Sequence, residues 1–379
     1  MILSIFIIAI IYSVLIGSFI IGFDCVEEFN IESTTATSSF SIIIPFRNEA
    51  GNLSELLQSL SNLHYPKHLF EILFVNDASE DNSVEIINAF FNEKPIDCAL
   101  NNIRIINNIR NSNSPKKDAI TTAINIAQYE WIITTDADCN VPIMWLKTLD
   151  AFIQTNNPKM IVAPVTYSNN KTFFQDFQLL DFLSLQSATI AGFGIKKPFL
   201  CNGANLAYKK GLFNIVNGFE GNTNIASGDD IFLMEKSLQK YPKKILYLKS
   251  KHALVITKPQ PSVKDLIQQR LRWAAKTSAY NNVFGKFVGL TVLFMNALII
   301  VLALLSIIGA LRFELLVLFF ALKFFLDVIL INKSARFFNQ PLNFISYVMS
   351  SLLYPFFSVF IAVYSVFFGF KWKDRGFKK

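Results

Sequence analysis

Two kinds of hydrophobic pattern divide this 379-residue chain. At both ends the apolar positions are nearly continuous. Met1 to Phe23 carries no charged side chain, and Phe287 to Phe370 is interrupted by few charges. Each stretch contains runs near the ~20 residues that cross a bilayer as a helix. Between them, from residue 38 to 282, apolar runs of strand length alternate with helical periodicity. Phe40–Pro45 predicts a buried strand. Leu53, Leu56, Leu57 and Leu60 share one face of a helix starting at Glu49, with Asn48 as its cap. Phe70–Asn76 predicts a second strand and Asp81–Phe91 a second helix, with Asp81 where the helix dipole favours negative charge. A third strand at Ile103–Ile106, a helix at Lys117–Gln128, and strands at Trp131–Thr135 and Met160–Val165 continue the rhythm. This order predicts an α/β fold with a mostly parallel sheet and helices on both faces. Ligands of such sheets bind beyond the carboxyl ends of the strands. That rule selects Arg47-Asn48-Glu49, Asp77 and Asp136-Ala137-Asp138. No Gly-x-Gly-x-x-Gly lies after the first strand, which argues against a dinucleotide fold.

Composition fits a soluble domain joined to membrane segments: 52% of residues are hydrophobic, 38 are Phe, and 17% are charged. The first segment lacks a basic leader and a small-residue cleavage site, so a retained anchor is expected rather than a signal peptide. The net charge of +7 comes largely from Lys and Arg beside the apolar stretches, as the positive-inside rule and anionic lipid favour. No basic–aromatic RNA module is present, so nucleic acid is not an expected partner. Cys25, Cys98, Cys139 and Cys201 form no metal-ligand spacing and fit a reducing compartment. His64 and His68 are four apart, but Pro66 between them argues against a metal-binding helix.

Several clusters carry candidate chemistry. Asp136 and Asp138 come after an apolar strand. One could hold a divalent cation on a diphosphate while the other meets the sugar or ribose; Mg2+ takes few protein carboxylates and shares its shell with phosphate and water. Asp77 is either a turn residue or an acceptor for a nucleotide base or ribose. Gly228-Asp229-Asp230 precedes a helix, where the dipole stabilises carboxylates. One of that pair could also act as a general base, with its neighbour's charge raising its pKa. Lys116 and Lys117 open a helix, where cations are disfavoured, and a phosphate there would remove the conflict. Phe199 to Asn205, with Cys201, Asn202 and Gly203, is an amide-rich stretch suited to a loop or a sugar-binding wall. Gln269-Arg270-Leu271-Arg272-Trp273 combines phosphate-seeking guanidiniums with an indole just before an apolar run.

Taken in order, these motifs resemble the family 2 glycosyltransferases with the GT-A fold, especially the membrane-integrated synthases of cellulose, chitin, hyaluronan and poly-N-acetylglucosamine. The resemblance runs from about Ser41 to Trp273. IPFRNE, with Glu49, is similar to the family's first strand end. VNDASED implies Asp77 at the nucleobase. SPKKDAI implies Lys116 at the diphosphate or nucleotide. TTDADC implies Asp136 at the sugar-nucleotide and Asp138 at the metal. FLCNGA implies Cys201, Asn202 and Gly203 at the acceptor. SGDD implies Asp230 as the base, supported by Asp229. QRLRW implies Arg272 at the diphosphate and Trp273 at the acceptor, with Gln269 and Arg270 completing the motif. Asn76, Pro115 and Asp229 stand where the family often has Asp, Gly and Glu.

The resemblance implies an inverting transfer from a nucleoside-diphosphate sugar, with a Mg2+ or Mn2+ cofactor, to a glycan or lipid-linked acceptor. Processive synthesis and a non-catalytic sugar-nucleotide-binding role are its alternatives. The expected organisation is an anchor at 1–23, a linker at 24–38, a GT-A domain at 39–260, an interfacial helix at 261–283, a transmembrane region at 284–370 and a basic tail at 371–379. The protein is expected in a membrane of the bacterial inner-membrane kind, among membrane lipid, with its catalytic domain cytosolic. C-terminal spans are expected at 287–311, 313–332 and 342–370, the last bending at Tyr354-Pro355 to return the tail to the cytosolic side. Lys323 and Asp327, four apart, predict an ion pair on one helical face.

Overall fold

Strand-length apolar runs and helix-length apolar runs segregate into two compact units in the computed structural model. One unit comprises Glu27–Ser168 and Cys201–Lys258; the other comprises Met1–Val26, Asn169–Leu200 and Pro259–Lys379. The structure describes residues 2–31, 35–92, 102–168, 172–276, 279–372 and 375–377. Glu32, Cys98, Lys373, Lys378 and Lys379 lie outside these residues.

In chain order, helix α1 (Ile2–Cys25) precedes β1 (Phe40–Phe46), α2 (Ala50–Ser61), β2 (Phe70–Asn76), α3 (Ser83–Asn92) and β3 (Ile103–Asn107). Then come α4 (Pro115–Ile126), β4 (Trp131–Thr134), α5 (Trp145–Asn156), β5 (Met160–Val162), β6 (Val165–Tyr167) and α6 (Phe173–Gly194). Next are β7 (Leu206–Lys209), α7 (Lys210–Ile215), α8 (Ile231–Lys240), β8 (Ile245–Tyr247) and β9 (Val255–Thr257). The chain ends with α9 (Val263–Ala275), α10 (Val283–Ile307), α11 (Phe313–Phe337), α12 (Phe344–Phe367) and the short strands β10 (Phe370–Trp372) and β11 (Arg375–Phe377).

The sheet-containing unit is built on a seven-stranded sheet of order β3-β2-β1-β4-β7-β5-β8. β3, β2, β1 and β4 are parallel, so their carboxyl ends share one edge. β7 is antiparallel to both β4 and β5, and β8 is parallel to β5. The expected mostly parallel α/β sheet is present. The predicted strand at Met160–Val165 divides in two: β5 joins the main sheet, and β6 pairs with β9 in a second sheet. β1 and β2 are almost wholly buried, as continuous apolar runs between covering helices should be. Leu53, Leu56, Leu57 and Leu60 form the buried face of α2.

The other unit is helical. Among the described residues, three of its helices are long and apolar enough to cross a membrane: Leu3–Cys25, Val283–Ile307 and Phe344–Phe367. α11 is not among them, and it carries the expected Lys323–Asp327 pair at 2.5 Å. Tyr12 of α1 donates a hydrogen bond to the same carboxylate. α12 runs unbroken through Pro355, so the expected turn-back at Tyr354-Pro355 is absent. Proline removes one backbone hydrogen bond, a loss that neighbouring packing can offset; Pro355 is buried. The strand β10 of the tail instead packs against α9.

Residues 169–200 depart from the expected 39–260 boundary. α6 belongs to the helical unit, where it packs on α1 and α11. Two glycines permit the α1–α6 approach: a Cβ on Gly194 would lie 1.8 Å from the Gly22 carbonyl oxygen. That oxygen is backbone and cannot rotate away. Gly194→Ala should therefore destabilise the protein by about 1–3 kcal/mol through overpacking. Gly17→Ala, where a Cβ meets nothing within 4 Å, should not. Thermal unfolding of both variants in detergent checks this; equal melting points would contradict the packing argument.

Candidate active site

The ends of β1, β2 and β3 build the first part of the site. Asp77, just past β2, is 7% exposed. Its Oδ1 accepts from Arg110 Nε and Asn108 Nδ2, both at 2.7 Å. Arg110 and Asn108 lie just past β3, and neither is among the residues expected from sequence. Their signal is positional, since they sit beyond the carboxyl end of a parallel strand, as Asp77 and Asp136 do. Arg47, past β1, donates from Nη1 to the Asp77 carbonyl oxygen at 3.0 Å and pairs with Glu80 through Nη2 at 2.8 Å.

Two left-handed residues, Asn48 (φ 52) and Ala78 (φ 55), shape these loops. Asn48 does not cap α2 as expected. Its Oδ1 accepts from the Glu80 amide at 2.8 Å, tying one loop to the other. Helix α2 starts at Ala50, and Glu49 accepts from Asn52 Nδ2 at 2.8 Å. Asp81 precedes its expected helix, which begins at Ser83, and accepts from the Ala50 amide and the Ser83 hydroxyl. Desolvation opposes the Asp81 charge, but the hydrogen bonds from Ser83 and the backbone prevail and hold its pKa below the usual value.

The second part centres on Lys116. Its Nζ lies 2.7 Å from Asp136 Oδ1 and 3.3 Å from Asp229 Oδ2. Burial works against the ammonium, but the charges of Asp136, Asp229 and Asp230 overcome it and hold its pKa well above the usual lysine value. Lys117 is buried and donates to the carbonyls of Asn222 and Ile225 at 2.7 and 2.9 Å. The conflict of two lysines opening α4 is thus resolved within the unit, by carboxylates for one and carbonyls for the other.

A glycine turn closes the third part. Asn202 accepts from the Ala204 amide, and Thr134 donates to the Gly203 carbonyl at 2.9 Å. The Gly203 amide donates to Asp230 Oδ2 at 3.2 Å, and the Ile231 amide to Oδ1 at 2.7 Å. Asp230 is 9% exposed and caps α8. A Cβ on Gly203 would lie 3.0 Å from Asp229 Oδ2 and 3.5 Å from Lys116 Nζ. A side chain there would press on the Asp229 carboxylate, which would have to give by a few tenths of an ångström. The Tyr208 hydroxyl, which no sequence motif marks, is buried nearby; burial and Asp229 push its pKa up, against Lys116. Cys201, half-buried and outside any disulfide, starts this stretch.

Asp138 is partly exposed, with Oδ1 3.6 Å from the Cys139 sulfur. No group of three or more His, Cys, Asp or Glu arranged to hold a metal occurs among the described residues. An all-protein cage is therefore not formed by those residues. The half-exposed Asp136 and Asp138 carboxylates fit a divalent cation that shares its shell with phosphate and water.

The description of glycosyl transferase family 2 matches residues 41–214, and that of glycosyl transferase family group 2 matches 131–370, more than half of the chain. The chain belongs to glycosyltransferase family 2. Poly(ribitol-phosphate) beta-N-acetylglucosaminyltransferase TarS of Staphylococcus aureus is 27% identical over 132 residues, 35% of this chain and 22% of that protein. Poly-beta-1,6-N-acetyl-D-glucosamine synthase of Staphylococcus epidermidis is 23% identical over 248 residues, 62% of this chain and 53% of that protein. The chain therefore spans less than two thirds of either relative. A mannosyltransferase from Pyrobaculum calidifontis, solved with GDP-Man and Mn2+, aligns over 96% of both chains with a TM-score of 0.55 and 14% identity. At that identity the likeness concerns the fold, which is of the GT-A kind.

The site residues expected from sequence fall in both units. Glu49, Asp77, Lys116, Asp136, Asp138, Cys201, Asn202, Gly203, Asp229 and Asp230 belong to the sheet-containing unit. Gln269, Arg270, Arg272 and Trp273 lie on α9 of the helical unit. There Arg270 is buried, pairs with Asp181 at 2.6 Å, and sits 4.2 Å over the Trp273 ring. One face of the indole expected to meet an acceptor is thus covered by Arg270.

Lys116→Met should lower stability by about 1–3 kcal/mol, less than breaking a fully buried pair because Asp136 is 37% exposed. Because the folded lysine's pKa is raised, its contribution is complete below the ordinary value near ~10.4 and is lost only as pH rises beyond it. The wild-type-to-variant gap in thermal stability should be constant from pH 7 to pH 9; a gap that closes in that window contradicts the raised pKa.

Proposed function

We propose that this protein is a membrane glycosyltransferase that moves a sugar, with inversion, from a nucleoside-diphosphate sugar to a glycan or lipid-linked acceptor. The observation that carries this reading is the convergence of Lys116, Asp136, Asp229, Asp230 and the Gly203 backbone at one edge of a parallel sheet. Asp77, braced by Arg110 and Asn108, accepts from the nucleobase. Lys116, Asp136 and Arg272 serve the sugar-nucleotide. Cys201, Asn202, Gly203 and Trp273 serve the acceptor.

Asp138 would hold a divalent cation, which would supply Lewis-acid stabilisation of the leaving diphosphate. Asp230 takes the proton of the attacking acceptor hydroxyl. The acceptor oxygen bonds to the anomeric carbon from the face opposite the diphosphate, and the carbon–oxygen bond to phosphate breaks. The nucleoside diphosphate leaves with the electron pair. Asp230 suits this role because two backbone amides fix its orientation, and a positioned base contributes roughly 10²–10⁴-fold in rate.

The apolar helices support an integral membrane location with the sheet-containing unit in the cytosol, where such donors are made. Two candidate spans, Val283–Ile307 and Phe344–Phe367, come after that unit in the chain. We favour single transfer or limited extension over processive synthesis, and product size decides between them. The charged set at the strand ends likewise favours catalysis over a binding module.

The test is a screen of radiolabelled nucleotide sugars on membranes carrying the protein, with product sizing afterwards. Asp230→Asn preserves shape and the Oδ1 acceptor for Ile231, while the Gly203 amide loses its Oδ2 acceptor. It should retain donor binding while transfer falls by roughly 10²-fold or more. A wild-type rate in the purified Asn variant means that Asp230 is not the base. Donor hydrolysis or transfer that no divalent metal affects would remove the cation from the scheme.

A further inference from the structure

At the start of α10, Lys197, Asn282, Val283, Phe284 and Phe287 line a cavity of about 550 Å³. Every lining residue belongs to the helical unit. Lys197 is exposed and its ammonium lies 5.2 Å over the Phe284 ring. No salt bridge to Lys197 occurs among the described residues, and no carboxylate lines the cavity. Asn282 is committed to the fold, donating to the Pro198 carbonyl at 3.0 Å and accepting from the Gly285 amide at 2.9 Å. Val283, Phe287 and Leu290 are exposed large hydrophobics on the same helix. Lys196 and Lys286 are further exposed cations adjacent in sequence to the lining residues.

A cation at the mouth of a cavity, with aromatic walls and apolar side chains continuing down a candidate span, matches one amphipathic ligand. We infer that this cavity binds the phosphate headgroup of an anionic membrane phospholipid, with its acyl chains along Val283 and Phe287. Lys197 supplies the charge, since basic pockets at the ends of membrane helices hold anionic headgroups. Phe284 keeps the ammonium over its ring, where cation–π attraction orders it before the phosphate arrives. Free phosphate lacks the apolar part, so the walls would add nothing to its binding. The inference rests on the membrane location proposed above, but not on the transfer chemistry.

The experiment uses the full chain in detergent. Carbonate extraction of membranes comes first: a protein released into the soluble fraction overturns the membrane location and this inference together. For a protein that stays with the membrane, phosphatidylglycerol and phosphatidylcholine are titrated separately, with binding read by native mass spectrometry and by thermal shift. Wild type should prefer phosphatidylglycerol by about fivefold, the effect of one lysine near an anionic headgroup. Lys197→Ala should lose that preference while keeping its melting point in detergent alone. Lys197→Arg should keep it, and so should Lys240→Ala in the other unit. No preference in wild type, an unchanged preference in Lys197→Ala, or an equal thermal shift from sn-glycerol 3-phosphate would each overturn the inference.

Discussion

Concentrating carboxylates at one edge of a sheet is the constraint on which the rest of this site depends. Asp136, Asp138, Asp229 and Asp230 all carry negative charge, and like charges a few ångströms apart repel strongly where water is scarce. Lys116 bridges two of them, at 2.7 and 3.3 Å. Two backbone amides satisfy a third, Asp230. The fourth, Asp138, remains partly exposed. Four carboxylates against one ammonium still leave the edge acidic. An anionic diphosphate could not enter such a site without further positive charge. On the proposed reading a divalent cation supplies that charge.

Much of this is legible in the sequence because parallel sheets place chemistry at predictable points. Asp77, Asp136 and Arg47 each stand just beyond an apolar run, where a strand's carboxyl end must lie. Asp229 and Asp230 stand out as acids before a helix. The same rule points equally to Asn108 and Arg110, but their strand is short and only half-buried, so its end is poorly marked. Tyr208 is illegible for a different reason. It sits within β7 and reads as ordinary core; only the packing reveals its hydroxyl beside Asp229 and Lys116. Lys117 misleads in the opposite sense: carbonyls of a loop more than a hundred residues away satisfy its ammonium, so no phosphate is needed there.

The helical unit obeys a related logic with different solvents. Its long helices are apolar, yet Lys323 and Asp327 are paired, Tyr12 joins them, and Arg270 is paired with Asp181. A charge kept from water is tolerable only with a partner of opposite sign. Periodicity predicts the first pair, since residues four apart share a helical face. The second joins α6 to α9 across 89 residues, and no local pattern could announce it. The same long-range pairing fixes one face of the Trp273 indole: it lies beneath a guanidinium that Asp181 holds in place, which leaves the other face for the proposed acceptor.

The interruption of the sheet-containing unit by α6 carries a consequence for the site. The chain leaves that unit after Ser168 and re-enters it at Cys201. Among the first residues after re-entry, Gly203 brings its backbone amide to Asp230 and its carbonyl to Thr134. The expected 39–260 domain includes α6, whose sequence carries the polar residues Gln175, Asp176, Gln178 and Asp181. Three of those polar groups instead find partners within the helical unit: Asp176 with Ser346, Gln178 with Gln260, and Asp181 with Arg270. Close packing at Gly22 and Gly194 leaves α6 little freedom to slide. A helix anchored this firmly fixes one end of the short segment that leads into the Gly203 turn. Disturbing α6 should therefore reach the Gly203 turn, and through it Asp230, along the covalent chain.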